Sequence, residues 1–215
     1  MKRITKMASA LLCGTIALSM TGCFGGSKIS PAKLYSYAKS DGAVVFDDYD
    51  ELLDATEDEE IGDAVREDGV AIMLSVDDLM DAIEEAGGDL NSFRQFTDNN
   101  MDEVTIYAKN ISSNNQLMGI AAYFEDEDDA EDFYDEYTAQ IKAYDLYDDA
   151  QIDYGTEKGI EYSYVVATQY GYTIGTGVYL DGNYVLMLMQ YSSSDVEELL
   201  DMCDSLGLPM AEEED

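Results

Sequence analysis

One pattern recurs four times along this chain and limits the folds that it can adopt. Each time, a four-residue apolar run precedes an acidic stretch whose apolar positions fall at offsets 0, 3, 4 and 7. This spacing places the apolar side chains on one face of an α-helix, with carboxylates on the opposite face and in the first turn. The runs are residues 43–46, 71–74, 121–124 and 188–191, and the helical sets are Tyr49/Leu52/Leu53/Thr56, Val76/Leu79/Met80/Ile83, Ala130/Phe133/Tyr134/Tyr137 and Val196/Leu199/Leu200/Cys203. We therefore predict strand-then-helix units that bury one helical face on a sheet.

Between these helices the chain changes to the alternating pattern that is typical of strands. Residues 103–109 and 116–124 flank a polar turn and predict a hairpin, and residues 151–154 predict a short strand. Residues 160–168, 172–180 and 183–191 predict a meander, whose last strand is apolar on both faces and should be central. The sequence thus predicts an α+β fold, a two-layer sandwich of a mainly antiparallel sheet with acidic amphipathic helices.

Three helix starts carry capping signals. Ser30 with Pro31 supplies a hydroxyl and a favourable first helical residue. Ser75 with Asp78, and Ser194 with Glu197, resemble capping boxes, in which a hydroxyl and an acid satisfy the first backbone N–H groups.

The amino terminus has the three zones of a secreted precursor. Lys2, Arg3 and Lys6 precede a mostly apolar stretch, residues 7–20, which is too short and too interrupted for a stable transmembrane helix. This stretch leads into Met20-Thr21-Gly22-Cys23. In these residues the chain resembles the cleavage site of bacterial lipoprotein precursors. The resemblance covers only the first 23 residues. The alternatives are an ordinary signal peptide with an accidental cysteine, or a single span that is never cleaved.

The resemblance implies a domain order and a location. Residues 1–22 would be a lipoprotein signal peptide, and Cys23 would carry a diacylglycerol thioether with acyl chains such as palmitate. The protein would then be anchored on the extracytoplasmic face of the cell membrane. Residues 23–30 would form the anchor and a short tether, residues 31–209 a single α+β domain, and residues 210–215 a disordered acidic tail. A subdomain break near residues 87–102 is the alternative division.

Charge and composition exclude several classes of function. The chain has 47 Asp and Glu residues, 11 Lys and Arg residues and no His. This charge excludes nucleic acid as a partner, and the lack of His removes Ser-His-Asp triads and His-based metal sites. Counted from Asp126, the EF-hand template fails at Ala130, Glu131 and Tyr137. We predict no catalytic residue, no cofactor and no specific metal site, weak association with divalent cations, and a buried thiol at Cys203.

The best candidate for a binding surface lies in the meander. The alternating pattern predicts one face of small and polar residues, which should be open, with tyrosines beside it. Its members are Glu161, Ser163, Thr173, Gly175 and Gly177. The predicted binding face comprises Tyr162, Tyr164, Tyr172, Gly175, Gly177 and Tyr179. The leading hypothesis is a binding or interaction module at the cell envelope, with an envelope protein or a small molecule as its partner. The alternatives are an extracytoplasmic enzyme that uses carboxylate or tyrosine chemistry, and a cation-dependent envelope protein.

Overall fold

The computed structural model describes residues 27–56, 63–65, 68–85, 100–110, 114–146 and 149–209. Its strands are β1 (Val44–Phe46), β2 (Val70–Ser75), β3 (Met101–Lys109), β4 (Asn115–Phe124), β5 (Gln151–Glu157), β6 (Ile160–Gln169), β7 (Tyr172–Asp181) and β8 (Tyr184–Ser192). Within this part of the chain, the eight strands form one sheet in the order β1-β2-β3-β4-β8-β7-β6-β5. The sheet is antiparallel except for the β1–β2 pair.

The helices begin where the sequence pattern places them. They are α1 (Pro31–Ser40), α2 (Tyr49–Thr56), α3 (Val76–Glu85), α4 (Glu127–Lys142) and α5 (Glu197–Leu206), and a 3-10 helix (Ala143–Leu146) follows α4. Each of the four apolar runs lies in or beside a strand that leads into one of these helices. The strand-then-helix units and the α+β class with a mainly antiparallel sheet are therefore confirmed.

Helices pack on both faces of the sheet and give it two apolar cores. One core joins α2, α3 and α4 to the sheet and contains Phe124 and Phe133, whose ring centroids are 5.3 Å apart. The other joins α1 and α5 to the opposite face and contains Leu34 and Leu199. The two layers expected from the sequence thus become three, because the first and last helices cover the second face.

The prediction that β8 is central is confirmed. It lies between β4 and β7, and Val185 packs in one core while Leu186 and Leu188 pack in the other. Strand β5, by contrast, is longer than predicted and forms an exposed edge of the sheet.

The capping signals have different outcomes. The Ser75 hydroxyl donates to Asp78 at 2.6 Å and accepts the Asp78 backbone N–H at 3.1 Å, so this capping box is formed. The Ser194–Glu197 capping box does not form. The Glu197 backbone N–H donates to Asp195 at 3.3 Å, and Val196 occupies the N-cap position of α5. The side chain of Ser30 makes no capping bond either, although its extended backbone begins α1 as expected.

Strands on both sides of the suggested subdomain break join the same sheet, while most of the segment at residues 87–102 lies outside the described residues. The predicted signal peptide, Cys23 and the acidic tail also lie outside them. None of the helices in the described part of the chain has both the length and the apolar character needed to cross a membrane.

Candidate functional site

The register of β6 and β7 divides the predicted binding face between the two sides of the sheet. Tyr162 lies opposite Tyr179, and Tyr164 lies opposite Gly177. Residues directly opposite each other in an antiparallel pair point to the same face. Five of the six predicted residues therefore share the face of the sheet on which α5 packs. They are Tyr162, Tyr164, Gly175, Gly177 and Tyr179.

The face over Gly175 is closed, which corrects the expected opening. A Cβ atom on Gly175 would lie 2.7 Å from the Cδ2 atom of Leu199, so α5 contacts the strand backbone directly. Gly177 lies under the ring of Tyr179, which is itself fully buried. Glu161 and Ser163 point to the other side of the sheet, because Ser163 lies opposite Val178 of the α4-side core. The small residues of β7 thus make room for a helix.

Two tyrosines of the predicted face form a polar cluster with the edge strand. The rings of Tyr162 and Tyr164 stack with centroids 5.9 Å apart, and their hydroxyls donate to the same oxygen of Asp153 at 3.3 and 3.5 Å. Burial, followed by the charge of Asp153, raises the pKa of Tyr164 to about 12 and also raises the pKa of Tyr162. Both phenols stay protonated at neutral pH, so they serve as hydrogen-bond donors and not as bases.

Tyr172 lies apart from the other five predicted residues. Its ring stacks on that of Tyr191 with centroids 4.6 Å apart and an interplanar angle of 18°. Tyr191 lies opposite Ile174 and Gln116, so this aromatic pair is on the α4 side of the sheet.

The same side of the sheet contains a cavity of about 260 Å³, which we call the apolar pocket. Its walls are side chains of β4, β7 and β8 on one side and of α4 and the 3-10 helix on the other. The principal ones are Met118, Ile120, Ile174, Met187 and Met189 from the strands, and Tyr137, Gln140, Ile141 and Tyr144 from the helices. Met189 is 39% exposed, so the pocket opens to solvent beside it.

The pocket exists because α4 covers only part of the three strands beneath it. Near its start, Phe133 packs on Phe124 at the end of β4. At its end, the 3-10 helix follows, and Ile141 and Tyr144 line the cavity across from Met118 and Met189, which lie opposite each other in β4 and β8. Apolar strand residues therefore lie beside the end of the helix without a full cover, and methionine suits such a position because its side chain adapts to irregular spaces.

The described lining of the apolar pocket carries no Asp, Glu, Lys or Arg side chain. Its one hydroxyl from a strand, that of Thr176, donates to the backbone carbonyl of Leu188 at 3.1 Å. Gln140 on α4 brings a polar side chain to the wall. The arrangement thus fits an apolar group, with polar contacts at the helical wall only.

The carboxylates form clefts of a different kind. Five aspartates, Asp47, Asp48, Asp50, Asp78 and Asp81, line a cavity of about 260 Å³ between α2 and α3. Asp48 accepts the backbone N–H of Asp50 at 2.7 Å at the start of α2, and Asp78 belongs to the capping box of α3. In the described residues, no group of three or more Cys, Asp or Glu side chains is positioned to hold a metal ion.

The segment at Asp126, where the EF-hand template fails, leads into α4, the helix that the apolar spacing predicts. Asp126 caps α4, and its side chain accepts the Asp128 backbone N–H at 3.0 Å. Cys203 is buried on α5 as predicted, with its sulfur 3.5 Å from the Tyr179 hydroxyl. Burial raises the pKa of the Cys203 thiol to about 12, so it is not a nucleophile at neutral pH.

Sequence reasoning missed the apolar pocket. The methionines of β8 were a usable signal, because Met187 and Met189 alternate along the strand and share one face. The alternating pattern by itself does not predict that α4 ends above Met187 and Met189.

Comparison with known proteins gives little beyond this geometry. No family model matches the chain, and no curated protein does. One similar solved structure is that of the extracellular domain of PknH from Mycobacterium tuberculosis, with a TM-score of 0.36 and 8% sequence identity. The alignment covers 53% of this chain and 66% of that one.

Proposed function

We propose that this protein is a lipid-anchored binding module at the bacterial cell envelope, and that the apolar pocket holds the hydrocarbon tail of an amphiphilic ligand. The anchor rests on the resemblance of the Met20–Cys23 segment to a lipoprotein cleavage site. The binding function rests on one observation, an apolar cavity of about 260 Å³ that opens to solvent at a half-exposed methionine. A well-formed apolar pocket with a few polar groups is the usual form of a small-molecule site.

The size of the apolar pocket limits its occupant. Sites for whole drug-sized ligands measure roughly 300–1,000 Å³. A cavity of about 260 Å³ therefore suits one short hydrocarbon segment, with the rest of the ligand outside. The flexible thioethers of Met118, Met187 and Met189 would let the walls adjust to such a chain.

The phenols and the thiol favour binding over catalysis. Tyr164 of the predicted binding face and the buried thiol of Cys203 both have pKa values raised to about 12, so neither provides a base or an anionic nucleophile at neutral pH. No observation in the described part of the chain favours the enzyme or the cation-dependent protein over the binding module.

A tryptophan reporter tests the pocket, since the chain has no tryptophan of its own. Among the described residues, both cores lie between Ile29 and Leu208, so the chain from Phe24 onward contains both of them and can be used without residues 1–23. In this chain, Tyr144→Trp places the reporter at the wall of the apolar pocket. Tyr170→Trp, at a residue that is 92% exposed, is the matched control.

Dodecyl maltoside, kept below its micelle concentration, is the neutral probe. We expect a saturable blue shift of tryptophan emission in Tyr144→Trp, and none in Tyr170→Trp. Adding Met189→Arg to the reporter chain should weaken the shift, because the arginine stem would cross the mouth of the pocket while its charge stays in water. An identical response of both reporters would refute binding in the pocket.

The anchor has its own test. Mass spectrometry of the protein extracted from membranes should find Cys23 at the amino terminus with a diacylglycerol group. Cys23→Ala should leave the chain unacylated and free of the membrane fraction. Wild-type protein that keeps residues 1–22 and carries no lipid would refute the anchor.

A further inference from the structure

We infer that the ligand of the apolar pocket is a cationic amphiphile, whose tail enters the pocket and whose positive head stays in water beside α4. The inference rests on the proposed binding function and adds the charge of the ligand.

The charge of the helical wall carries the argument. Helix α4 contains seven carboxylates and a single lysine, Lys142. The Nζ atom of Lys142 lies 4.6 Å from the ring centroid of Tyr154 on the edge strand, so its charge is already held against an aromatic face. Next to the pocket residue Tyr137, α4 carries Asp135 and Glu136, whereas Lys142 is directed to the edge strand, so a head group beside Tyr137 meets mainly negative charge.

Glu136 is the carboxylate best placed to act on a bound head group. It is exposed, it precedes the pocket residue Tyr137, and it lies one helical turn before Gln140 on the same side of α4. The described lining offers no Lys or Arg side chain that would pair with a carboxylate, sulfate or phosphate head. An anionic amphiphile would thus bring its charge into a negative field without a partner, whereas an ammonium head would be attracted.

The net charge of the chain acts in the same direction at longer range. It is −36, so cations are concentrated and anions are depleted around the surface. Salt screens this effect, with a Debye length of about 30 Å at 0.01 M and about 10 Å at 0.1 M ionic strength. Selectivity for a positive head should therefore weaken as salt is added, while the apolar contribution of the tail remains.

The test uses three amphiphiles with the same tail and different heads, each below its micelle concentration, with the Tyr144→Trp reporter. These probes are dodecyltrimethylammonium, dodecyl maltoside and dodecyl sulfate. At low salt we expect the cation to bind about tenfold more tightly than the anion, with the neutral probe between them. Circular dichroism at each probe concentration verifies that the fold persists.

A matched pair of variants locates the selectivity. Glu136→Lys and Asp204→Lys change the net charge equally, but Asp204 is exposed on α5, across the sheet from the pocket. Glu136→Lys should reduce the preference for the cation severalfold more than Asp204→Lys does. Affinity for dodecyl maltoside should be unchanged in Asp204→Lys, and in Glu136→Lys it should change less than the affinity for either charged probe, because the maltoside head carries no charge.

The outcomes separate the two proposals. Cation preference that decreases with salt and depends on Glu136 supports the inference. Binding of all three probes with equal affinity, or preference for dodecyl sulfate, overturns the inference and leaves the binding function standing. No reporter response to any probe overturns the binding function and the inference with it.

Discussion

The hydroxyl of Tyr107 in β3 donates a 2.8 Å hydrogen bond to Asp41, the C-cap residue of α1. The Nζ atom of Lys109 reaches the same carboxylate oxygen at 2.7 Å. Two side chains of one strand thus hold the carboxyl end of α1 on the sheet, where the ring of Tyr37 packs edge-on against Tyr107 with centroids 6.0 Å apart.

Removing the Tyr107 hydroxyl should destabilise the fold. We expect Tyr107→Phe to lower the free energy of unfolding by about 1–2 kcal/mol, since a partly buried hydrogen bond to a carboxylate is lost while the ring remains. Urea denaturation followed by circular dichroism measures the change. Tyr170→Phe, which removes a hydroxyl that is already in water, should change stability by less than about 0.5 kcal/mol. Equal effects of the two substitutions would contradict this role for Tyr107.

The contact between β7 and α5 makes a second prediction. Gly175→Ala should destabilise the protein by about 1–3 kcal/mol, because the new methyl group would force the buried side chain of Leu199 to move. Gly155→Ala on the exposed edge strand is the matched control. There the nearest atom is the Tyr162 hydroxyl at 3.3 Å, at the end of a half-exposed side chain that can shift. Thermal denaturation of both variants measures the two changes in stability. A Gly175→Ala variant as stable as the wild type would mean that α5 does not pack tightly on β7.

Stability should decrease at alkaline pH. Burial, followed by nearby Asp41, raises the pKa of Tyr37 from 10.0 to about 12, and burial followed by Asp153 does the same for Tyr164. The folded state thus binds these protons more tightly than the unfolded state does. Their stabilisation is complete below pH 10 and is lost as the pH rises towards about 12.

The urea midpoint, measured across this range together with tyrosinate absorbance, tests the alkaline transition. Tyr164→Phe should make the loss of stability with pH less steep. A midpoint that stays constant up to pH 12 would be inconsistent with raised pKa values for these phenols.

The thiol of Cys203 should resist alkylation in the folded protein. It is 1% exposed, its pKa is raised to about 12, and only the thiolate reacts rapidly. In the chain from Phe24 onward it is the single cysteine, so labelling by iodoacetamide reports on it alone. Mass spectrometry should find no label at neutral pH until denaturant is added. Asp204→Cys places an exposed thiol at the next position, and this variant should take up one label under native conditions. Labelling of Cys203 and of the new thiol at similar rates would show that α5 opens readily.

The sequence by itself determined the strand-then-helix units, the central place of β8 and the burial of Cys203. Each of these depends on the spacing of apolar residues within one element, and local backbone geometry converts that spacing directly into a face. The Ser75–Asp78 cap belongs to the same class, because its partners are three residues apart. The Ser194–Glu197 signal had the same spacing and failed, since the chain enters α5 with a different residue at the cap.

Only the tertiary structure decided which face each meander residue occupies and where the surface remains open. The register of β6 on β7 placed Tyr162 beside Tyr179 and separated Glu161 from Gly177, and a shift of one residue would have reversed this. The packing of α5 closed the sheet over Gly175, while Met118 and Met189 beside the end of α4 stayed partly exposed on the other side. These outcomes depend on contacts between elements that are far apart in the chain. How much of the sheet a helix covers depends on which strands lie beneath it, and the sequence of the helix alone does not specify those strands.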